Sequence, residues 1–141
     1  MGEVQVGAEL AIHAASGEVR GLPVSMGNPH YVVFVPQFSP GWQAEAAEIG
    51  HDDHFTHGVN VELVVVKDEG NVDVRFFERG VGETQSSGTG SCASAVAAIA
   101  TKRVRSPVRV HAPGGVQTVR WESEVYLRGP AELVCRGEFF V

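Results

Sequence analysis

A dense polar run leads directly into a stretch of small residues near the middle of this sequence. The run contains the acid–base pair Glu78-Arg79, a further acid at Glu83 and several hydroxyl side chains, and it ends at Gly88-Thr89-Gly90. The residues from there to Ala100 carry no charge and include nothing larger than isoleucine, which predicts a helix that is apolar or neutral on every face. Unpaired backbone N–H groups and the positive end of the helix dipole gather at the first turn of such a helix and favour bound anions. We therefore interpret this region as a candidate active site.

The composition is that of a single globular domain, which we place at residues 1–141. The 141 residues are 43% hydrophobic and 20% charged, enough apolar material for one core. A formal net charge of -6 offers no basic stripe to phosphate groups, so we expect no nucleic-acid partner. No apolar run approaches the ~20 residues of a membrane-spanning helix, and the first residues lack a basic leader. We therefore expect a soluble, cytoplasmic protein with no membrane partner.

Short strand-like runs make up most of the chain and must position the polar residues. The predicted strands lie within 4–13 (two short runs) and at 18–24, 31–35, 60–66, 72–77, 108–111, 116–121, 125–127 and 133–136. The spacing of Trp42, Ala46 and Ile49 before Gly50 predicts one short amphipathic helix. A helix that is apolar all round needs cover on every side, which a curled sheet can supply. We therefore expect an α+β fold, a curled, barrel-like sheet wrapped around one central buried helix.

Other patterns fit known kinds of site less well. Gly88-x-Gly90-x-x-Ala93 matches the loose dinucleotide fingerprint, but no strand ends just before it and no acid follows at the required distance. The G-x-S-x-G motif of hydrolase serines is not found in the sequence. The group His51-Asp52-Asp53-His54 with His57 has metal-like spacing, yet it lies among polar residues, so we interpret it as a solvated loop and predict no metal site. Cys92 and Cys135 are too few for a disulfide framework, and we expect two buried free thiols.

Asn28-Pro29-His30 is a second candidate group, because this polar turn opens directly onto the apolar run 31–35. It would place an amide and an imidazole at the edge of the core, although it could equally be an Asx-type turn with an incidental histidine. Glu78-Arg79 could likewise be only a surface ion pair. The loop Gly80-Val81-Gly82 behind it can bring backbone close to a ligand. The residues alone leave these alternatives open.

Taken together, these groups resemble the C-terminal half of the diaminopimelate epimerase family over nearly the whole chain. The resemblance is carried by the order and spacing of Ser25-Met26-Gly27-Asn28-Pro29-His30, Val59-Asn60-Val61, Glu78-Arg79-Gly80-Val81-Gly82-Glu83-Thr84, Ser87-Gly88-Thr89-Gly90, Pro113-Gly114-Gly115 and Gly129-Pro130-Ala131-Glu132. It implies a two-domain fold, each domain a curled mixed sheet around a central helix, with the N-terminal domain absent here. It also implies an isomerase of lysine biosynthesis that converts LL- to meso-diaminopimelate by two-base proton transfer, without pyridoxal phosphate, metal or another cofactor.

By position, the resemblance also assigns roles to individual residues. The implied substrate-binding residues are Asn28, Asn60, Glu78, Arg79, Gly88 and Thr89. Of these, Glu78 and Arg79 would lie near the α-carboxylate and the amine of the substrate, and Gly88 and Thr89 would hold the carboxylate at the helix N-terminus. His30 and Glu78 would tune the protonation of the catalytic groups.

The chain departs from the family at the catalytic position itself. The family uses two cysteines, one in each domain; the first lies in the absent domain, and the second is Ser87 here. Cys92 lies within the predicted helix and is not expected to replace it. A thiol has a pKa of about 8.5 and a hydroxyl, taken as comparable to bulk water, of roughly 15.7, a gap of order 10 kcal/mol against serine as a base. Helix-dipole effects of ~0.3–2 kcal/mol cannot close this gap, so we expect the isolated domain to be inactive.

Three interpretations follow from these departures. The first is an excised or split half of a diaminopimelate epimerase-like enzyme, with Ser87 natural or engineered, that pairs with the missing N-terminal domain or with a second copy of itself as a homodimer. The second is a relative that acts on another amino acid, such as a racemase or a hydroxyproline dehydratase-like enzyme, in which the hydroxyl is not a base. The third is a non-catalytic amino-acid-binding module that keeps the carboxylate site.

Overall fold

The computed structural model describes residues 3–141. Within them, ten strands, most of them short apolar runs, join into one mixed sheet, and two helices lie between strands along the chain. The strands are β1 (Gln5–Val6), β2 (Leu10–Ala14), β3 (Gly17–Ser25), β4 (Pro29–Phe34), β5 (Asn60–Asp68), β6 (Asn71–Glu78), β7 (Gly82–Thr84), β8 (Val108–Ala112), β9 (Gly115–Trp121) and β10 (Val125–Arg128). The helices are α1 (Trp42–Gly50) and α2 (Gly88–Ala100). Within this part of the chain, neither helix is long and apolar enough to cross a bilayer.

The sheet is mainly antiparallel, with parallel pairs where the chain crosses over. Its strand order is β1-β3-β4-β5-β6-β8-β9-β10, with β2 paired to β3 and β7 paired to β6. The parallel pairs are β4 with β5 and β6 with β8. Parallel neighbours need a crossover connection, and the two connections carry α1 and α2 respectively. The predicted turn at 68–71 joins β5 and β6 as an antiparallel hairpin.

The curled sheet encloses α2, as the composition of this helix predicts. Every residue from Gly90 to Ala98 is buried, and Ala95 and Ala97 are fully inaccessible at 0% exposure. The helix contacts β1 at one end of the strand order and β10 at the other, as well as the central strands between them. Contact with both ends requires the sheet to curve around the helix, which confirms the wrapped architecture.

The central strands β4 and β5 are covered on both faces, as their continuous apolar sequences predict. Val32 and Val64 belong to the core that surrounds α2. Tyr31, Val61 and Leu63 alternate with them and join a second core, to which α1 contributes Ala46 and Ile49. These strands therefore separate two hydrophobic cores, and any polar residue on their α2 face lies in the interior.

The predicted strand at 133–136 is wrong. Residues 129–141 have no regular secondary structure and are exposed, with Leu133 80% and Val134 88% accessible. A strand needs a hydrogen-bonded neighbour and a covered face, and the described sheet pairs β10 only with β9. For the same reason Cys135 is exposed, which corrects the expectation of burial, whereas the predicted burial of Cys92 is confirmed.

The polar segment after β6 is more ordered than the sequence indicates. The sequence predicts a loop at Gly80-Val81-Gly82, and both glycines have positive φ angles, 78° for Gly80 and 96° for Gly82. The chain turns here and returns as β7, which pairs antiparallel with the end of β6. The short strand has a mixed polar sequence, Gly-Glu-Thr, so hydrophobic periodicity gives no signal for it.

Candidate active site

Ser87 immediately precedes α2 and caps its first turn. Its backbone is extended, with φ −149° and ψ 122°, and its Oγ accepts a hydrogen bond from the backbone N–H of Gly90 at 3.0 Å. This is the geometry of a serine N-cap. The first turn contains no acidic residue that would neutralise the positive end of the helix dipole. The backbone N–H groups of Gly88 and Thr89 are therefore well placed to attract an anion.

Gly90 allows the first turn of α2 to approach β5 and β6 closely. A Cβ atom at this position would lie 2.8 Å from Oε1 of Glu62, 2.8 Å from Cδ1 of Phe76 and 2.9 Å from Oγ of Ser87. Real Cβ atoms essentially never come so close, so a side chain here would force the helix away from the sheet. The carboxyl group of Glu62 therefore lies directly beneath the first turn, beside the hydroxyl of Ser87.

Glu62 forms a buried pair with His30. The parallel register of β4 and β5 places His30 opposite Asn60 and Val32 opposite Glu62. Nδ1 of His30 lies 2.8 Å from Oε1 of Glu62, and each side chain is 1% exposed. Burial raises the pKa of Glu62 above its ordinary value, and hydrogen bonding to His30 opposes this shift. The other carboxyl oxygen, Oε2, has no hydrogen-bond partner.

Asn28 links this pair to the start of α2. Its Oδ1 lies 3.1 Å from Nε2 of His30, and its Nδ2 donates to Oγ1 of Thr89 at 3.3 Å. A continuous hydrogen-bonded chain thus runs from the buried Glu62 through His30 and Asn28 to the second residue of the helix. The structure brings Asn28, His30, Ser87 and Thr89 together, although they come from two separate parts of the sequence.

Asn60, Glu78 and Arg79 lie on the adjoining wall, each with its own protein partners. Asn60 donates from Nδ2 to the carbonyl of Pro29 at 2.9 Å, and its Oδ1 accepts from the backbone N–H of Arg79 at 2.8 Å. Oε1 of Glu78 accepts from Thr84 at 2.6 Å. The amide of Asn60 therefore ties β4 to the end of β6, and Glu78 bonds Thr84 of β7.

Glu78 and Arg79 help to line a concavity of about 540 Å³. Nη1 of Arg79 donates to the backbone carbonyl of His57 at 3.3 Å. Glu78 and Arg79 thus bond to separate partners and do not form the surface ion pair that was one alternative from the sequence. The concavity is also lined by Gly58 and Val59, and it does not include Ser87.

Sequence reasoning missed Glu62, although the sequence does contain a signal for it. This acid is the one charged residue in the otherwise apolar run 61–66, and a strand covered on both faces can keep such a group only if it has a partner. That partner, His30, lies 32 residues away in the sequence, in the neighbouring strand. A lone acid inside a strongly apolar strand thus indicates a buried partner, and the parallel register of β4 and β5 supplies it from the neighbouring strand.

The histidine-rich segment 51–57 is a solvated loop, as expected. His51, Asp53, His54 and His57 are exposed, and Nδ1 of His54 contacts Oδ1 of Asp52 at 2.7 Å. Across residues 3–141, no group of three or more histidine, cysteine, aspartate or glutamate side chains is arranged to hold a metal ion. The strand before α2 is the short β7, which pairs antiparallel with β6, so the parallel strand–turn–helix unit that the dinucleotide fingerprint requires is not formed there.

Known structures confirm the fold class. A phenazine biosynthesis protein of the PhzF family from Enterococcus faecalis superimposes with a TM-score of 0.55 at 17% identity, over 69% of this chain and 35% of that one. A PhzF-family protein from Bacillus anthracis superimposes with a TM-score of 0.56 at 14% identity, over 89% of this chain and 40% of that one. At these identities the similarity establishes the curled mixed sheet around a helix and nothing about chemistry.

Sequence comparison identifies the family. The sequence model of diaminopimelate epimerase matches residues 22–134. The diaminopimelate epimerase of Bacillus licheniformis is 39% identical over 132 residues, which cover 88% of this chain and 45% of the relative. That of Desulfitobacterium hafniense is 37% identical over 139 residues, which cover 96% of this chain and 48% of the relative. The chain thus spans about half the length of the curated relatives it matches, and it belongs to the diaminopimelate epimerase family.

Proposed function

We propose that this chain forms the C-terminal half of a diaminopimelate epimerase-like isomerase and binds the substrate's α-carboxylate at the first turn of α2. The observation that carries the proposal is the convergence of Asn28, Ser87 and Thr89 on this turn, backed by the buried His30–Glu62 pair. The turn is partly exposed at Ser87, Gly88 and Thr89, so a ligand can reach it. A family membership shared over most of the chain supports the same site.

A zwitterionic amino acid needs hydrogen-bond donors for its carboxylate and an acceptor for its ammonium group. The backbone N–H groups of Gly88 and Thr89 lie at the N-terminus of α2, where no intrahelical partner exists for them. Glu78, the last residue of β6, supplies a carboxylate on the adjoining wall as the acceptor for the ammonium group. We place Asn28 and Asn60 at the edge of this site, with Arg79 on the adjoining wall as the cation nearest the substrate's carboxylate.

The proposed reaction is inversion of the α-carbon of LL-diaminopimelate to the meso form. One base removes the α-proton from one face, and an acid on the opposite face delivers a proton to the carbanion. Ser87 occupies the position of one of these groups, but its hydroxyl would be a base weaker than a thiolate by of order 10 kcal/mol. His30 and Glu78 tune the site and do not replace the missing thiol. This half therefore binds and orients the substrate, and on its own it is inactive. No pyridoxal phosphate or metal is required by this two-base scheme.

The partner that completes the site is a second, similar half. The curated relatives are about twice as long as this chain, and the matched region is 45% of the Bacillus licheniformis enzyme. Exposed apolar side chains are available to meet a partner, including Val81 at 73%, Phe139 at 88% and Phe140 at 86%. We propose that an N-terminal half, or a second copy of this chain in a homodimer, covers these residues and the first turn of α2.

A non-catalytic amino-acid-binding module is the second candidate. It is favoured by the hydrogen bond between Ser87 Oγ and the N–H of Gly90, because this bond gives the hydroxyl a structural role as a helix cap. In this alternative the carboxylate site is kept and the proton transfer is lost. Both candidates predict binding of an amino acid at α2, and they differ in whether a cysteine at position 87 restores turnover.

Binding is tested by adding LL- and meso-diaminopimelate to the chain and following its backbone amide signals by NMR. Gly88→Pro removes one N–H from the first helical position, where proline is tolerated, and the extended backbone of Ser87 suits a following proline. Gly88→Ala is the matched control, because it adds the same Cβ beside Leu127 and keeps the N–H. We expect ligand-induced shifts at residues 88 and 89 in the parent chain and in Gly88→Ala; in Gly88→Pro, which has no amide signal at position 88, the shift at Thr89 should vanish. No shift in the parent chain at millimolar ligand would overturn the proposal.

A further inference from the structure

A protonated carboxyl group explains the geometry beneath α2 better than an ion pair does. We propose that Glu62 is a positioning residue for His30: its Oε1–H donates to Nδ1, and the imidazole is thereby held as the Nε2–H tautomer that faces Asn28. The inference rests on the proposed function only at its far end, where Asn28 and Thr89 meet the substrate. Neither the role of Glu62 nor the direction of this chain of hydrogen bonds follows from membership of the family.

The direction of the hydrogen bonds begins at Thr89. Nδ2 of Asn28 donates to Oγ1 of Thr89 at 3.3 Å, so Oδ1 is the atom of Asn28 that faces His30. A carbonyl oxygen only accepts hydrogen bonds, and it lies 3.1 Å from Nε2. Nε2 must therefore carry a proton. In a neutral imidazole, Nδ1 is then an acceptor and needs a donor from Glu62.

The burial of Glu62 indicates which atom supplies that proton. Its side chain is 1% exposed, and Oε2 has no hydrogen-bond partner. A carboxylate would leave a charged oxygen unpaired in the interior, which is far more costly than leaving a carbonyl oxygen unpaired. With the proton on Oε1, the acid donates to Nδ1 at 2.8 Å and Oε2 is that carbonyl oxygen. The whole pair is then uncharged.

The surroundings of the pair favour the uncharged form. From β6, Glu78 adds negative charge that disfavours ionisation of Glu62, and Phe76, opposite Glu62 in the register, adds apolar cover. The helix α2, which packs above, has no charged side chain. The pKa of Glu62 is raised by burial first and by Glu78 as a minor cause, while His30 acts in the opposite direction. The guanidinium of Arg79, which follows β6, donates to the backbone carbonyl of His57 and not to Glu62.

The consequence reaches the substrate through Thr89. Because Oγ1 of Thr89 accepts from Asn28, its own hydroxyl proton is free to point out of the first turn. A carboxylate bound at Gly88 and Thr89 then gains a side-chain donor beside the backbone N–H groups. Reversal of the chain, with Nδ1–H on His30, would turn the Thr89 proton toward Asn28 and remove this donor. Glu62 therefore determines the direction of the hydrogen bonds at a site that it does not contact.

The experiment reads the tautomer directly in the intact chain. Nitrogen-15 chemical shifts of the His30 ring distinguish Nε2–H, Nδ1–H and the doubly protonated imidazolium, and carbon-13 detection of Glu62 reports whether its carboxyl group is protonated. We expect Nε2–H with a protonated Glu62 at pH 7. Nδ1–H, or an imidazolium beside an ionised carboxylate, overturns the inference. This measurement needs no variant, so it decides the question even if the substitutions below fail to fold.

Two substitutions separate a donor from a mere space-filling group. Glu62→Gln keeps the shape and can donate an amide N–H to Nδ1, so it should retain the Nε2–H tautomer and parent-like binding of diaminopimelate. Glu62→Leu fills the site without a donor, and it should lose the fixed tautomer and weaken binding about tenfold, the effect of one hydrogen bond. Equal loss in both variants overturns the inference, because it would show that charge is required. An Nε2–H tautomer without any ligand binding would support the inference and contradict the proposed function. Ligand binding with an Nδ1–H tautomer would support the proposed function and contradict the inference.

Discussion

The side-chain oxygen of Ser87 accepts a hydrogen bond from the backbone N–H of Gly90 at 3.0 Å. The residue that family resemblance assigns to a catalytic position is thus also the N-cap of the central helix. A structural and a chemical requirement meet in one side chain, and they can be separated by choosing substitutions that change one and spare the other.

The capping role predicts the stability of two variants. Ser87→Ala removes the acceptor of the Gly90 N–H and should lower the free energy of unfolding by about 1 kcal/mol. Ser87→Gly should lower the free energy of unfolding by only about a few tenths of a kcal/mol, because glycine is accepted at N-caps. Urea denaturation of the parent chain and both variants measures the difference. Equal stability of the alanine variant and the parent would show that the hydrogen bond contributes nothing.

The chemical role predicts a rescue of turnover. When the chain is fused to or mixed with a cysteine-bearing N-terminal half from a curated relative, we expect little inversion but measurable uptake of solvent deuterium into one isomer. The remaining thiol can still exchange the proton that it faces. Ser87→Cys should raise inversion by orders of magnitude, given the gap of about 10 kcal/mol between the two bases.

Ser86→Cys is the matched control for this rescue, since it adds a thiol to the exposed neighbouring residue just before the helix cap. It should restore no inversion, while both variants retain binding of the substrate. Fast inversion by the parent Ser87 form, unchanged by Ser87→Cys, would falsify the two-thiol scheme. His30 would then be the next residue to test as the base.

The enclosure of α2 predicts that charge cannot be placed on it. Ala95 and Ala97 are 0% exposed, so Ala95→Glu or Ala97→Glu would bury an unpaired carboxylate and should prevent folding. Ala100→Glu is the control, because Ala100 is exposed at the end of the same helix and should cost at most ~1 kcal/mol through the helix dipole. Circular dichroism melting curves compare the three. A parent-like melting temperature for Ala95→Glu would mean that this face reaches solvent.

The two thiols should differ sharply in reactivity. Burial raises the pKa of Cys92 to about 11, so at pH 8 it is protonated as well as inaccessible. Cys135 is exposed and should be alkylated rapidly in the folded chain. Mass spectrometry should find a single label under native conditions and a second one only after denaturation. Labelling of Cys92 under native conditions would contradict its position in the hydrophobic core around α2.

The raised pKa of Glu62 predicts a dependence of stability on pH. The folded state favours the protonated acid, so the stabilisation is fully present below the ordinary glutamate pKa of 4.5 and is lost as the pH rises through the folded-state pKa. Glu62→Gln has no proton to lose, so its stability relative to the parent should increase as the pH rises from 4.5. Urea denaturation across this range measures the trend, with the exposed acid variant Glu122→Gln as a baseline. A gap that narrows with rising pH would contradict the direction of the shift.

Local composition was sufficient to predict the central helix and most of the strands. Small uncharged residues from Gly90 to Ala98 cannot form a solvent face, and the continuous apolar runs of β4 and β5 cannot either. These features depend on side chains close together in the sequence. The approach of Asn28 and His30 to the start of α2 was suggested by family resemblance, not by periodicity.

Features that depend on distant pairing were not predictable in this way. Residues 133–136 have strand-forming side chains but no neighbouring strand among the described residues, so the pattern alone predicts too much. β7 has the reverse character, because a polar segment becomes a strand through its pairing with β6. Glu62 was overlooked because its partner, His30, comes from another strand. In each case the deciding contact is one that sequence periodicity does not record.

The position of α2 in the strand order also determines how the chain can be made. The helix is synthesised after β7, but its cover includes β8, β9 and β10, which emerge from the ribosome later. Until Val125 has been added, one side of a helix with no polar face lacks its wall. Stable closure during translation must therefore wait for nearly the whole described sheet, and the unfinished chain exposes an apolar helix for which early chaperone binding would be an advantage.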